Sequence, residues 1–224
     1  MAIDEAEFAE NPEPRCPVLL LLDTSFSMRE EGRIEALQEG IRMFRDEVAG
    51  DNLASLRIEV SVVTFGEKSE QVTPFTPILD FEPPVIKASG TTPMGSAISL
   101  GLASLEERKA AYRESGILYY RPWVFLITDG EPTDQWKEAA QQVHQGEKDG
   151  KFLFYAVGVK SANFTRLAEI APPNRGPLQL KGIAFKEMFQ WLSASVKAVS
   201  TSALAADGQQ KLPPVTGWGE VPTL

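Results

Sequence analysis

Asp23, Ser25 and Ser27 lie in the stretch LLLLDTSFSM (residues 19–28), where a run of leucines ends in one carboxyl and three hydroxyls. Placing such groups at the end of a buried strand is costly unless something binds them. Asp129 follows a second apolar run in ITDGEPTD, and Thr91 and Thr92 stand side by side in KASGTTP. Carboxylates and hydroxyls without histidine or cysteine are hard oxygen donors, a set that suits magnesium, calcium or manganese rather than zinc. Two carboxylates balance one divalent cation, and hydroxyl oxygens add coordination without adding charge. An ion held this way stays electron-poor and accepts one more anionic oxygen from outside, such as the Asp or Glu side chain of a protein partner.

The elements that position these residues follow from apolar periodicity. Ile34, Leu37, Ile41, Phe44 and Val48 recur at spacings of three and four, one stripe of a helix that stops near Gly50. Residues 56–65 (LRIEVSVVTF), 123–128 (WVFLIT) and 152–159 (FLFYAVGV) read as buried strands, and 69–78, with Pro74 and Pro77, as an edge strand. Helices are expected from about Met94 to Arg113, around Trp136, Ala140 and Val143, and over Phe185, Phe189, Leu192, Val196 and Val199. Strands buried on both faces and separated by helices predict a doubly wound α/β fold: a mostly parallel central sheet, helices on both faces and one antiparallel edge strand. Such sheets bind ligands at the carboxyl ends of their strands. There Asp23, Ser25 and Ser27 point the same way if the chain stays extended, and Asp129 occupies the equivalent place on another strand.

Composition bounds the rest. The 224 residues, 43% hydrophobic and 24% charged, suit one globular domain over 16–202, flanked by an acidic N-terminal tail (1–15) and a Gly/Pro-rich C-terminal tail (203–224) in which Trp218 is the only aromatic. A net charge of -9 disfavours nucleic acid and anionic membrane surfaces. Cys16 is the only cysteine, so no intrachain disulfide forms, and it is expected to be inert packing. With no basic leader and no apolar run of about 20 residues, the expected setting is cytoplasmic.

D-x-S-x-S at Asp23, Ser25 and Ser27, a threonine in GTTPMG and an aspartate in TDG together resemble the metal-ion-dependent adhesion site of von Willebrand factor type A (VWA) domains, over about Pro17 to Ser202. The flanking text PVLLLLDTSFSM, SVVTF, ASGTTPMGSAI and VFLITDGEPTDQW is similar to the TerY-like proteins of bacterial tellurium-resistance and stress-response clusters. The resemblance implies that Asp23 and Asp129 bind a divalent cation directly or through water, that Ser25 and Ser27 coordinate through their hydroxyls, and that Thr92 contributes from the second loop. Spacing to Gly95 favours Thr92, although Thr91 is adjacent and chemically identical. Mg2+ is the expected ion, with Mn2+ or Ca2+ as alternatives. Phe26 replaces a glycine frequent in the family, and Phe26, Met28, Thr91, Met94 and Glu131 form the expected partner-binding rim. Kinase or phosphatase components of a stress-response cluster are implied as company.

Enzyme readings find less support in the residues. The position two after Asp23 is a serine rather than the second aspartate of haloacid-dehalogenase phosphatases. No phosphate loop, dinucleotide glycine motif or G-x-S-x-G elbow occurs. His144, the sole histidine, is expected to be solvated, and Asp134 to cap the helix containing Trp136. The expectation is a metal-dependent protein-binding module and not an enzyme. The alternatives are a metal-dependent phosphatase or hydrolase, and a metal-free scaffold of the same fold.

Overall fold

A computed structural model describes residue 8, residues 11–201 and residues 214–222. Seven strands form one sheet in the order β3-β2-β1-β4-β5-β6-β7. They are β1 (Cys16–Asp23), β2 (Ile58–Phe65), β3 (Ser69–Pro77), β4 (Trp123–Thr128), β5 (Leu153–Val159), β6 (Pro177–Leu180) and β7 (Gly219–Glu220). Strands β2, β1, β4, β5 and β6 run parallel, β3 is the expected antiparallel edge, and the two-residue β7 adds a short antiparallel pairing at the opposite edge.

Helices among the described residues that surround the sheet include α1 (Arg33–Ala49), α2 (Ala54–Arg57), α3 (Met94–Glu114), α4 (Lys137–Lys148), α5 (Phe164–Ile170) and α6 (Phe185–Ser200). The alternation of β1 divides the core between the two faces. Val18, Leu20 and Leu22 pack with the apolar stripes of α1 and α6, whereas Leu19 and Leu21 pack with α3, α4 and α5. All eight residues of β1 and all six of β4 are buried, which explains their unbroken apolar sequences. Close approach is built in where helix meets sheet: a Cβ on Gly101 would lie 2.7 Å from Leu21 Cδ2.

Short elements escaped the periodic reading. Strands β6 and β7 and helix α5 span four, two and seven residues. Part of the C-terminal tail is integral to the fold: Trp218 is buried against Trp191, ring centroids 5.4 Å apart, beside the β6–β7 pairing. At the other end, Arg15, assigned to the N-terminal tail, is buried and paired with Glu59, which also receives Arg108 and the Tyr112 hydroxyl. This shared carboxylate fixes the amino-terminal side of the sheet, remote along β2 from the strand ends that hold the polar cluster. Cys16 is fully buried, and burial pushes its thiol up to about 12.

The chain winds from β1 outward to β3, then returns across the sheet to β4 and continues to β6. The winding reverses between β1 and β4, so the carboxyl ends of these two strands flank a crevice in which no crossover lies. Asp23 is the last residue of β1, and Asp129 follows the last residue of β4.

Candidate metal centre

Three loops close over that crevice. The first follows β1: Ser25 is extended (φ -65, ψ 167), and Phe26–Gly32 then makes 3-10 turns interrupted by a kink at Glu30 and Glu31. Ser25 and Ser27 face each other because of this turn rather than by the continued extension expected from the sequence, and their hydroxyl oxygens stand 3.0 Å apart. The second loop, residues 87–93, is bound to the first through Phe26 N–H donating to Gly90 O at 3.2 Å and Ser89 N–H donating to Thr24 O at 2.6 Å. Gly90 holds φ +74, and a Cβ there would lie 2.3 Å from the Glu67 amide nitrogen, so only glycine fits. The third loop follows β4 and joins the second where Thr133 N–H donates to Thr92 O at 2.9 Å and Thr92 N–H donates to Thr133 Oγ1 at 3.1 Å.

The side chains form a connected set. The Ser25 amide donates to Asp23 Oδ1 at 2.8 Å, and the Thr128 hydroxyl donates to Asp23 Oδ2. Ser27 Oγ donates to Asp129 Oδ1 at 2.6 Å, linking the first loop to the third. Thr92 Oγ1 and Asp23 Oδ2 lie 3.1 and 3.8 Å from the point where a Cβ of Gly130 would stand, so the missing side chain leaves room between them. Asp23, Ser25, Thr92 and Asp129 are buried, Ser27 is partly exposed, and Thr91 is exposed. Of the two adjacent threonines, the fold turns Thr92 inward.

Burial pushes the Asp23 carboxyl up to about 6. Hydrogen bonds from Ser25 and Thr128 oppose the rise, and the charge of Asp129 adds to it. An anionic carboxylate in this position gains from a cation. The donors also match a hard ion in type and spacing. Adjacent oxygens around an octahedral magnesium ion stand about 3.0 Å apart, the separation of the two serine hydroxyls. Among the described residues no three His, Cys, Asp or Glu side chains group to hold a metal ion, so hydroxyl oxygens must supplement the two carboxylates here.

Two of the five expected rim residues lie elsewhere. Met28 and Met94 are fully buried, in the cores on opposite faces of the sheet, and cannot meet a partner. Their neighbours in sequence touch the crevice, but helical turning rotates these two side chains inward. Phe26 is 58% exposed with the Arg29 guanidinium 5.1 Å over its ring, and Glu131 is exposed and accepts from Asn163 Nδ2 at 2.7 Å. Asp134 does not cap the helix containing Trp136. Its oxygens accept from Gly95 and Ser96 amides at 2.9 and 2.8 Å, satisfying the first turn of α3 instead. His144 is not simply solvated, since its Nε2 lies 3.0 Å from Ala171 O.

Two site residues escaped the sequence reading. Thr128 had a signal, standing directly before Asp129 at a strand end. Arg33 had none: as the first residue of α1 it reads as a solvated cation, yet it is buried and its Nη1 donates to Asp129 Oδ2 at 2.5 Å and to Ser161 Oγ at 3.2 Å.

Known proteins share this fold. The sequence profile of the von Willebrand factor type A domain matches residues 18–187. The mouse (Mus musculus) collagen alpha-4(VI) chain is 25% identical over 179 residues, a stretch covering 74% of this chain and 7% of that protein. Among solved structures, the pilus adhesin SpaC from Lactobacillus rhamnosus GG superposes with a TM-score of 0.68 at 14% identity, covering 84% of this chain and 32% of the adhesin. Proximal thread matrix protein 1 of the mussel byssus, solved with a zinc-occupied MIDAS motif, gives a TM-score of 0.55 at 16% identity over 84% of this chain and 49% of its own. The chain thus spans under half the length of these relatives, and at these identities the solved structures carry the fold alone. With the family profile covering most of the chain, from β1 into α6, the protein belongs to the von Willebrand factor type A domain family.

Proposed function

We propose that this domain is a metal-dependent protein-binding module, in which a divalent cation held at the β1–β4 crevice engages an Asp or Glu carboxylate of a partner. The observation that carries the reading is the convergence of Asp23, Ser25, Ser27, Thr92 and Asp129, drawn from three loops, into one oxygen-lined cluster open to solvent at Ser27. Asp23 and Asp129 would supply charge, and the three hydroxyls would supply neutral oxygens. The ion's contribution when bound is Lewis acidity toward an incoming carboxylate. Everything else is positioning by the chain: the Gly90 turn presents Thr92, the Thr128 hydroxyl fixes Asp23, and the 3-10 turn brings Ser25 to Ser27. Exposed Phe26 with Arg29 over its ring suits the rim around an acidic side chain, and Thr91 and Glu131 extend it.

Magnesium is the proposed ion, because hydroxyls and carboxylates are its usual donors and manganese or calcium would be accepted by the same set. From the resemblance of its motif text to TerY-like proteins, we propose a cytoplasmic setting and a tellurite-resistance or stress-response context with kinase or phosphatase partners. No helix among the described residues is long and apolar enough to cross a membrane. The mussel protein with zinc in its MIDAS motif supports metal use by the family and leaves the ion of this chain to experiment. The mechanism is coordination rather than turnover.

The reading is tested by thermal unfolding with Mg2+ or Mn2+ against excess chelator, alongside an assay of generic phosphoesters. Ligand that binds only the folded state raises the melting temperature with concentration. A metal-dependent rise without phosphoester turnover is expected. Turnover would favour the hydrolase alternative, and identical melts would favour the metal-free scaffold.

A further inference from the structure

The charge in the crevice is not that of the two carboxylates alone. Arg33 is buried at 2% exposure, and its Nη1 touches Asp129 Oδ2 at 2.5 Å. Its other neighbours are Ser161 Oγ at 3.2 Å and Ser27 O at 3.4 Å from Nη1, with the exposed carboxylates of Glu30 and Glu31 at 3.5 and 3.6 Å from Nη2. Glu31 is shared with Lys160 at 2.6 Å and faces water, so its charge is partly neutralised and screened, as that of Glu30 is by water. Asp129 is different: its side chain is fully buried, with one oxygen bound to Ser27 and the other to Arg33. A guanidinium cannot lose its proton at any ordinary pH, so its charge is permanent.

The consequence is arithmetic. Asp23 and Asp129 carry two negative charges and Arg33 one positive, so the buried cluster holds a net single negative charge. A divalent cation would leave it at plus one, and one carboxylate from outside would bring it to zero. Without Arg33 the same ion would already neutralise the site, and an incoming carboxylate would leave an excess negative charge. In a poorly solvated crevice such differences govern binding.

We propose that Arg33 sets the charge balance of the crevice: it weakens the hold on the bare ion and strengthens the hold of the loaded site on an acidic ligand. The inference rests on the metal-centre reading above and adds to it a residue that would touch neither ion nor partner. Arg33 is a positioning and charge-setting residue acting through Asp129. Because coupling free energies are reciprocal, a carboxylate should tighten the ion by the same factor that the ion tightens the carboxylate.

The test uses the full chain, Mn2+ as the ion and acetate as the carboxylate probe. Calorimetric Mn2+ titrations of wild type, Arg33→Gln, Arg33→Lys and Asp23→Asn are run with acetate or with chloride at equal ionic strength. Wild type should bind Mn2+ more tightly in acetate. Arg33→Gln should bind Mn2+ about tenfold more tightly than wild type in chloride, the scale expected for removing one nearby charge, and should need about tenfold more acetate to show the same tightening. Arg33→Lys, which keeps the charge, should follow wild type. Equal Mn2+ affinity in wild type and a natively folded Arg33→Gln, or a Lys variant that behaves like the Gln variant, would overturn the role of Arg33 while the metal centre stands. If Arg33→Gln does not fold, absence of an acetate effect in wild type, or tightened binding in Arg33→Lys, still overturns it. Mn2+ binding by none of the variants overturns the metal centre and this inference together, and Asp23→Asn identifies the crevice as the place of binding.

Discussion

Ser27 and Asp129, 102 positions apart in sequence, are joined by a 2.6 Å hydrogen bond from the serine hydroxyl to Asp129 Oδ1. That bond ties the loop after β1 to the loop after β4 across the point where the sheet reverses its winding. The crevice between the two strands exists because no crossover fills it, and the three loops around it leave oxygen atoms as its lining.

Gly90 controls the second loop. Gly90→Ala must place a β-carbon at φ +74 and 2.3 Å from the Glu67 amide nitrogen. The loop then has to move, breaking the Phe26 N–H to Gly90 O bond and displacing Thr92. We expect a loss of stability of about 1–3 kcal/mol from the strained backbone alone, and a divalent-ion affinity reduced at least as strongly as stability. Denaturant unfolding and metal titration of the same variant check both.

The Trp218 side chain contributes to anchoring the C-terminal segment through packing, while its backbone carbonyl accepts from the Lys181 amide at 2.9 Å. It is 1% exposed and lies against Trp191, and its Nε1 is buried without a hydrogen-bond partner. Trp218→Ala is expected to cost about 3–5 kcal/mol, the usual range for deleting a buried aromatic. Trp218→Phe loses no side-chain hydrogen bond and keeps one aromatic ring, so it should cost less than the alanine substitution. Urea melts of the two variants measure the difference, and equal losses would contradict this account.

Asp23 gives the pH dependence. Its folded carboxyl titrates at about 6 in the metal-free chain, above the unfolded value, so the folded state binds the proton more readily. The Asp23 contribution to metal-free stability is therefore most favourable below the ordinary carboxylate range and declines as pH rises through about 6, the reverse of a salt-bridged carboxylate. The size is about 3 kcal/mol at most, isolated by comparing wild type with Asp23→Asn. Metal binding requires the charged form, so Mg2+ or Mn2+ affinity should fall as pH drops below about 6. An affinity flat across that range would contradict the assignment.

Much of this site was legible in the sequence because each acidic ligand candidate directly follows an apolar run. A strand buried on both faces leaves its first polar residue at the sheet rim, so Asp23 and Asp129 could be placed from pattern alone. Adjacent Thr91 and Thr92 could not be told apart by type; the left-handed turn at Gly90 decides which faces inward. Met28 and Met94 look like rim residues because they neighbour site residues, but a turn of helix carries each into the core. Arg33 is the clearest failure of local reading. A cation in the first turn of a helix opposes the helix dipole and suggests a solvent-facing side chain. Only the tertiary fold, which brings the start of α1 to the loop after β4, gives it Asp129 as a partner. Helix α5 and strands β6 and β7 are too short for periodicity to reveal.

Binding of a divalent cation by the five oxygen-bearing side chains is read most directly from calorimetric titration of wild type against Asp23→Asn. Wild type should bind one Mg2+ or Mn2+ per chain, and Asp23→Asn, with a native circular dichroism spectrum, should bind none. Indistinguishable titrations from the two proteins, whether both bind or neither does, would contradict the account.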